Sequence, residues 1–356
     1  MIRIAALTSG LSVPSARFRV RQHIAPLRRL GLDVREFVPA IEKYAPVPEW
    51  LATLRPRFGV PGRLIEAAWR SAKRAVRLPG IAGSRARMVT WLERQLLPGQ
   101  CTAEGWLRRP LVFDVDDAIW LLPPAGADAA KRTAERAAVV IAGNAYIADW
   151  FSAFSREVRI VPTAVDTERF CPRHGGDPDR EGTFVVGWTG TSSNLAYLEA
   201  IKAPLRRFLA DHADSLLLVM SDRPPRFADL DAARIRYERW TVAGEVQAIR
   251  RMDVGLMPLP DNEWTRGKCS FKMLLYMACG IPVVASPVGM NREILEKCEA
   301  GLASATEDDW YEALASLHAD RSQADRLGKI GRALVEREFS QVVITERLAG
   351  IFRGVA

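Results

Sequence analysis

Residues 253–293 read DVGLMPLPDNEWTRGKCSFKMLLYMACGIPVVASPVGMNRE, and this stretch decides the fold. A short apolar run at 254–257 is followed by a polar loop, an apolar helical segment at 270–279 and a second apolar run at 281–285. Short apolar runs that alternate with helices are typical of parallel strands joined by crossover helices. The stretch therefore predicts a strand–helix–strand unit of a parallel α/β sheet.

The same alternation extends through both halves of the chain. Apolar runs predict strands at residues 2–7, 33–38, 111–113, 138–142 and 158–161 in the first half, and at 184–188, 215–220, 254–257 and 281–285 in the second. Helical patterns separate these strands, and residues 308–339 are predicted to be helical throughout. The sequence therefore predicts an α/β protein of two Rossmann-like domains, each a doubly wound parallel sheet, which face each other across a cleft.

A linker is predicted where this alternation stops. Residues 171–181 are rich in proline, glycine and charge and show no apolar period. We therefore expect an N-terminal domain at 1–165 and a C-terminal domain at 166–339, with a last helix at about 340–356 that packs back on the first domain.

Composition narrows the class of protein. The chain has 356 residues, 48% hydrophobic and 26% charged, which is typical of a globular protein. No apolar run approaches the ~20 residues of a transmembrane helix, and the first run is too short for a signal peptide. The five cysteines form no CxxC pair and the four histidines are scattered, so we expect a reduced cytoplasmic protein without a metal site.

Positive charge is concentrated in the first half. Residues 1–165 carry 25 Lys and Arg against 14 Asp and Glu, and residues 55–94 alone carry ten against two. This pattern predicts an anionic partner: a membrane surface, a lipid-linked phosphate or a polyanion. From Arg63 to Arg77 the pattern is that of a basic amphipathic helix, which suits either a membrane interface or packing on the sheet. Its apolar side comprises Ile65, Ala68, Trp69, Ala72 and Val76, and its basic side comprises Arg63, Arg70, Lys73, Arg74 and Arg77.

An anion site is predicted before the apolar helix at 270–279. Ser270 is expected to cap this helix, whose first amides and positive dipole end then face a bound anion. Lys268 and Lys272 stand beside this end, where a cation opposes the dipole unless an anion is present. A diphosphate is one interpretation, and a solvated pair of lysines is the other.

Two segments carry a family resemblance. MACGIPVVASPVG (277–289) and VPTAVDTERF (161–170) resemble the donor-site and interdomain segments of retaining GT-B glycosyltransferases of family 4. The resemblance implies a sugar-nucleotide donor held by the C-terminal domain, an acceptor side on the N-terminal domain, retention of anomeric configuration and no metal or other cofactor. Gly267 and Leu275 stand where the family often has two glutamates, so the usual bond to the donor ribose is absent here.

Further donor-side residues are predicted in the second half. Gly190 and Thr191 follow a strand in a Gly/Ser turn that lets the backbone approach a phosphate. Arg223 is a candidate for the diphosphate. Trp240 lies either near the nucleobase or in the core. Arg266, together with Lys268, is expected to replace part of the role of the missing glutamates.

Acceptor-side residues are predicted in the first half. Asp116 and Asp117 follow a predicted strand and are candidate catalytic carboxylates that polarise an acceptor hydroxyl. A metal-binding DxD site of GT-A type and simple helix capping are the alternatives. Gly10 and Arg17, after the first strand, are candidates for an acceptor or donor phosphate, the alternative being a solvated helix start.

Together these features favour a glycosyltransferase that transfers a sugar to a glycan or lipid-linked acceptor in cell-surface polysaccharide or glycoconjugate synthesis. We expect it in the cytoplasm, in peripheral contact with the inner face of the membrane through the basic helix, and without a nucleic-acid partner. A non-catalytic sugar-nucleotide-binding or scaffold protein is one alternative. A sugar-nucleotide 2-epimerase is another, although the few histidines argue against it.

Overall fold

The computed structural model describes residues 1–53, 61–173, 182–227 and 229–356. The chain folds as two compact units, the first comprising Met1–Ala164 and Val342–Ala356 and the second comprising Val165–Gln341. Residues 174–181 of the predicted linker, and residues 55–60 of the basic stretch, lie outside the described residues.

The first unit contains a six-stranded parallel sheet. Its strands are β1 (Ile2–Leu7), β2 (Leu32–Phe37), β3 (Val89–Glu93), β4 (Leu111–Val115), β5 (Val139–Ala142) and β6 (Val158–Ile160). They lie in the order β2-β1-β3-β4-β5-β6, and all neighbours are parallel. The strand order reverses between β1 and β3, and ligands of such sheets bind beyond the carboxyl ends of strands at that point.

Helices join these strands. A π-helical turn at Ala16–Arg21 leads into α1 (Gln22–Arg29), and the following helices are α2 (Glu49–Ala52), α3 (Gly62–Ala75), α4 (Leu78–Arg85), α5 (Gly126–Ala134) and α6 (Ala145–Ser152). Short 3-10 turns lie at Glu104–Trp106 and Ile119–Leu121.

The last helix of the chain, Gln341–Val355, completes the core of the first unit. The ring of Phe352 lies 5.0 Å from that of Trp91 on β3, and Ile344 and Leu348 join the same buried cluster. Strands β3, β4 and β5 are buried along their whole length, as expected for a parallel sheet covered on both faces.

The second unit repeats this architecture. Its strands are β7 (Phe184–Thr189), β8 (Ser215–Ser221), β9 (Ile235–Arg239), β10 (Val254–Met257), β11 (Val283–Ala285) and β12 (Gly301–Ala303). The order is β12-β11-β10-β7-β8-β9, again all parallel. The reversal of strand order here falls between β7 and β10.

The helices of the second unit pack on both faces of its sheet. They are α7 (Leu195–Glu199), α8 (Lys202–Asp211), α9 (Glu245–Arg250), α10 (Glu263–Arg266), α11 (Phe271–Ala278), α12 (Met290–Lys297), α13 (Glu307–Ala319) and α14 (Arg321–Leu334), followed by a π-helical turn at Val335–Phe339. Within the described parts of the chain, none of the helices is both long enough and apolar enough to cross a membrane.

The prediction of two parallel α/β sheets is confirmed, although three strands were missed. β9 (IRYER) is a partly exposed edge strand with charged residues, and β12 has only three residues. β3 (VTWLE) is fully buried, but it contains Thr90 and Glu93 and so does not form an apolar run.

The prediction of one continuous helix over 308–339 is wrong. The chain breaks at Asp320, whose carboxylate accepts a hydrogen bond from the amide of Gln323 at 3.0 Å and so starts a new helix.

Candidate functional site

The first turn of α11 lies at the reversal point of the second sheet. It follows the loop after β10, and the residue before it, Ser270, is buried with a positive φ of 48°. The Ser270 hydroxyl makes no bond to the helix; it donates to Oδ1 of Asn291 at 2.6 Å. Asn291 in turn donates to the carbonyl of Ser286 at 3.1 Å, which joins the loops after β10 and β11. The prediction that Ser270 caps α11 is therefore wrong.

Lys272 in this first turn meets the Gly/Ser turn after β7. Its Nζ lies 4.3 Å from the centre of the Trp188 ring. A Cβ on Gly190 would lie only 2.7 Å from the same Nζ, so this close approach requires glycine. The structure thus brings together two predicted donor residues, Gly190 and Lys272, at the carboxyl ends of neighbouring strands.

The charge of Lys272 has no acidic partner among the described residues. Burial, and then the nearby charge of Lys268, lowers the pKa of Lys272 to about 7. A half-buried ammonium group without a counterion is unfavourable. An anion bound at Gly190 would remove this penalty, so the pair is suited to a phosphate.

Acidic groups occupy another part of the Gly/Ser turn. The Asp222 carboxylate accepts from the Ser192 amide at 2.6 Å and from the Ser192 hydroxyl at 2.9 Å. Thr191 shares a 2.9 Å hydrogen bond with the hydroxyl of Ser193. The side chain of Arg223 is 81% exposed and lies 4.0 Å from Asp222. We therefore expect a phosphate at this turn to contact Gly190 and Lys272 rather than the exposed Arg223.

The remaining predicted donor residues surround α10 and β9. Nζ of Lys268 lies 5.1 Å from the centre of the Trp264 ring, and Nε of Arg266 donates to Asp261 at 2.6 Å. Trp240 is 38% exposed and donates from Nε1 to Glu245 at 3.0 Å. Trp240 therefore lies outside the core. Its ring is partly exposed after β9 and is fixed by the hydrogen bond to Glu245, so it is compatible with contact to a nucleobase.

In the first unit, the carboxylates after β4 are bound by arginines. Asp114 is buried, and Nη2 of Arg19 donates to it at 2.6 Å while Nε1 of Trp91 donates at 3.1 Å. Burial raises the pKa of Asp114 to about 6, against the opposing effect of Arg19. Asp114 and Arg19 therefore form a buried structural ion pair.

Asp116 and Asp117 share one guanidinium group. Arg94 contacts Asp116 from Nε at 2.5 Å and Asp117 from Nη2 at 2.6 Å. Arg94 has a positive φ of 54° and also donates to the Tyr44 hydroxyl at 3.0 Å. Burial would raise the pKa of Asp116, but Arg94 holds it below its usual value. Both predicted catalytic residues are thus brought together, with Asp116 held as a carboxylate.

Gly10 and Arg17 lie against different side chains. Gly10 has a φ of +155° and lies against Glu42, whose carboxylate accepts from the Ser12 amide at 2.7 Å. The guanidinium of Arg17 lies 4.5 Å from the centre of the Phe18 ring. An acid already lies beside the turn at Gly10, so this turn is a poorer phosphate site than Gly190.

The basic helix α3 differs from its predicted pattern in one respect. Ile65 is buried and Leu64 is exposed, while Trp69 donates from Nε1 to the carbonyl of Ala45 at 3.2 Å. Arg77 was placed on the outer basic side, and this prediction is wrong, since its side chain is buried and donates to the carbonyl of Leu96 at 2.7 Å.

Sequence reasoning missed several charged residues of the site. Arg19 and Arg94 contact the carboxylates after β4, and Glu93 and Lys43 are buried beside them. Their partners lie far away in sequence, and the only signal was their position near strand ends. Within the part of the chain that the structure describes, no group of three or more His, Cys, Asp or Glu side chains is placed to hold a metal ion.

Part of the chain is similar to a known protein family. Residues 184–320, all within the second unit, match the family model described as Glycosyl transferases group 1. Comparison with curated proteins gives no match.

Solved structures resemble the whole chain. The sucrose-phosphate synthase of Thermosynechococcus elongatus has a TM-score of 0.70 at 16% identity and covers 99% of each chain. A UDP-forming α,α-trehalose-phosphate synthase from Burkholderia vietnamiensis has a TM-score of 0.69 at 14% identity and covers 100% of each chain. HepE from Anabaena, in complex with UDP and glucose, has a TM-score of 0.68 at 14% identity and covers 99% of this chain and 100% of its own. The chain as a whole therefore has the GT-B fold of two Rossmann-like units, and its residues 184–320 are similar to the glycosyl transferases group 1 family.

Proposed function

We propose that this protein is a glycosyltransferase that moves a sugar from a nucleotide-diphosphate sugar to a glycan or lipid-linked acceptor, with retention and without a metal ion or other cofactor. The observation that carries the proposal is the Lys272 ammonium beside Gly190, which lacks an acidic partner among the described residues and lies at the reversal point of the second sheet. Ligands of doubly wound sheets bind at this point, and the group missing from it is an anion.

The second unit provides the donor side in this proposal. Lys272 and the first turn of α11 neutralise the diphosphate, and this matters most as charge accumulates on the leaving nucleotide. Trp240 is the candidate contact for the base. Uridine is the first base to test, because a neighbouring structure holds UDP and another neighbour is UDP-forming.

The first unit provides the acceptor side. Because Arg94 lowers the pKa of Asp116, this carboxylate is a weak base at neutral pH. We assign Asp116 and Asp117 the task of accepting a hydrogen bond from the acceptor hydroxyl and orienting it.

One observation favours a second candidate, a non-catalytic sugar-nucleotide-binding protein. Leu275, at the position where the family often has a glutamate, is 7% exposed, and Gly267 has no side chain. Neither position can bind the donor ribose through a carboxylate. Nucleotide binding without sugar transfer or donor hydrolysis would support this candidate.

We place the enzyme in the cytoplasm at a membrane surface. Exposed Leu64 and the basic residues of α3 are the proposed contact with anionic lipid. Co-sedimentation with vesicles that contain or lack an anionic lipid tests this placement.

The proposed function is tested by calorimetric binding of UDP, GDP, dTDP and ADP sugars to the full chain. We expect one base to be preferred, and Lys272→Met to lose binding at least about tenfold, since a charged hydrogen bond contributes ~1.5–3 kcal/mol. Lys329→Met, an exposed lysine on α14, is the matched control. Donor hydrolysis and sugar transfer should survive EDTA. Absence of binding to every nucleotide sugar would overturn the proposal.

A further inference from the structure

Two cavities lie in the first unit beyond the carboxyl ends of β1 and β3. The larger has a volume of about 420 Å³ and the smaller about 270 Å³, and Lys43 lines both. The larger cavity falls within the range of ligand pockets, roughly 300–1,000 Å³, and the smaller lies just below it. They adjoin one another and are lined only by residues of the first unit.

Cations dominate the polar lining of the smaller cavity. Lys43, Arg70 and Lys73 line it together with Tyr44 and Gln100, and no carboxylate is among its lining residues. Nζ of Lys73 donates to the carbonyl of Lys43 at 3.2 Å, which places these two lysines side by side. Arg70 lies 4.0 Å from Glu66, which is outside the cavity, so the excess positive charge of the lining comes from Lys43 and Lys73.

The larger cavity contains acids, but protein groups already satisfy them. Arg35, Lys43 and Arg77 are its cations, and Glu36 and Glu93 are its carboxylates. Glu36 pairs with Arg21 at 2.7 Å and accepts from the Thr8 hydroxyl at 2.8 Å.

Glu93 is satisfied in the same way. It is buried and accepts from the Ser9 amide at 2.8 Å and from the Ser15 hydroxyl at 2.7 Å. Lys43 donates to the carbonyl of Glu93 rather than forming an ion pair with its carboxylate. The carboxylates of the larger cavity are therefore engaged by groups other than Arg77.

Arg77 carries the strongest indication of a missing ligand. Its side chain is 6% exposed, and its Nε and Nη1 donate to the carbonyls of Leu96 and Lys73. Its buried Nη2 has no hydrogen-bond partner among the described residues. The charge of Glu104 acts on Arg77, but no carboxylate lies within ion-pair distance among the described residues. A buried guanidinium that lacks one of its hydrogen bonds is costly.

We propose that these two cavities bind a phosphate group of the acceptor, with Arg77, Lys43 and Lys73 as its contacts. The proposal rests on the proposed transferase function and names the class of its acceptor: a phosphate ester. A guanidinium fork with ammonium groups beside it matches the oxygens of a phosphate, which can accept several hydrogen bonds at once. The apolar lining, including Leu7, Phe37 and Val76, suits the carbon part of the ester.

The position of the smaller cavity connects this site to the candidate catalytic carboxylates. Tyr44 lines the cavity, and its hydroxyl accepts from Arg94 at 3.0 Å. Arg94 in turn holds Asp116 and Asp117. An acceptor anchored by its phosphate in these cavities therefore lies next to the groups proposed to orient its hydroxyl.

The test measures binding of inorganic phosphate to the full chain in a Lys272→Met background, which removes the donor-side phosphate site. We expect saturable binding that Arg77→Met and Lys73→Met each weaken at least about tenfold. Arg29→Met, at an exposed position at the end of α1 and outside both cavities, should bind like the background protein. Arg77→Lys keeps the charge and should lose less than Arg77→Met. Lys73 is only half-buried, so its variant remains informative if Arg77→Met does not fold.

Two further probes distinguish the source of the phosphate. Glycerol 1-phosphate represents a soluble ester, and vesicles containing phosphatidic acid, compared with vesicles of phosphatidylcholine, represent a lipid headgroup. Tighter binding of one probe, lost in Arg77→Met, assigns the source. Equal phosphate binding by Arg77→Met, Lys73→Met and Arg29→Met, or no saturable binding, would overturn the proposal. Nucleotide-sugar binding by the protein with Lys272 intact is scored separately, so failure of the transferase assignment is distinguishable from failure of the phosphate site.

Discussion

The charge of Lys272 should impose an upper pH limit on donor binding. In the nucleotide-free protein its pKa is lowered to about 7 from an ordinary value of 10.5, first by burial and then by Lys268. A diphosphate beside the ammonium stabilises the charged form, so binding raises this pKa. Affinity is therefore complete below pH 7 and is lost as the pH rises through 7.

The size of the effect follows from the charged fraction. With a pKa of about 7, roughly nine tenths of Lys272 is charged at about pH 6 and roughly 3% at about pH 8.5, so affinity should fall about 30-fold over this range. UDP-glucose is the suitable probe because both of its phosphates are esterified and do not titrate in this range, and the uracil ring ionises only at higher pH.

The assay is calorimetric titration of UDP-glucose at several pH values. Lys272→Arg should bind without pH dependence, since a guanidinium stays charged throughout. Lys272→Met should bind weakly at every pH, and Lys329→Met should follow the wild type. Wild-type affinity that stays constant across the range, with no loss in Lys272→Met, would refute the assignment of Lys272 to the diphosphate.

Three further predictions concern the donor site around Gly190 and Lys272, and one concerns the carboxylates that Arg94 contacts. Asp222→Asn removes a negative charge from the Gly/Ser turn and should tighten UDP-glucose binding about two- to fivefold by calorimetry, as expected for a partly exposed charge pair. Gly190→Ala places a Cβ 2.7 Å from Nζ of Lys272 and should weaken binding at least about tenfold, with the melting temperature as the control for folding. In Arg94→Lys, a single ammonium group cannot contact Asp116 and Asp117 as the guanidinium does, so kcat should fall about tenfold or more while the KM for the donor is unchanged. Because Arg94 lowers the pKa of Asp116, the acid limb of the pH–rate profile should move to higher pH in this variant. Lys272→Met removes a half-buried, unpaired charge and should raise the unfolding free energy of the nucleotide-free protein by about 1 kcal/mol, measured by thermal denaturation; a fall in stability would contradict this reasoning.

The meeting of Gly190 and Lys272 could be predicted because it depends on topology. Both follow strands of one parallel sheet, and the carboxyl ends of those strands share an edge. The apolar runs of β7 and β10 were strong enough to place both residues there. The apolar pattern of the strands, together with the rule that carboxyl ends of parallel strands share one edge, is sufficient to predict such a contact.

The partners of the charged residues could not be predicted in this way. Arg19 and Asp114 are 95 positions apart, and Arg94 follows β3, a strand that the apolar pattern missed. Ser270 has the residue type of a helix cap, but Asn291, 21 positions later, competes for its hydroxyl. Residue type predicts what a side chain can do, while its actual partner depends on packing between distant segments.

The described residues include two kinds of charged side chain removed from water, and this difference supports the proposed substrates. Arg19 with Asp114, and Arg94 with Asp116, are complete pairs whose removal from water is offset within the protein. Lys272 has no such acid among the described residues, and Arg77 leaves one nitrogen without a hydrogen-bond partner there. Because an unpaired buried cation lowers stability and an anion relieves that cost, each marks a place where a negative group binds. The two cations lie in different units, so each is expected to bind an anion of its own: the proposed nucleotide diphosphate at Lys272 and the proposed phosphate ester at Arg77. Each ligand should therefore stabilise the protein against unfolding on its own, and each effect should disappear with its own cation.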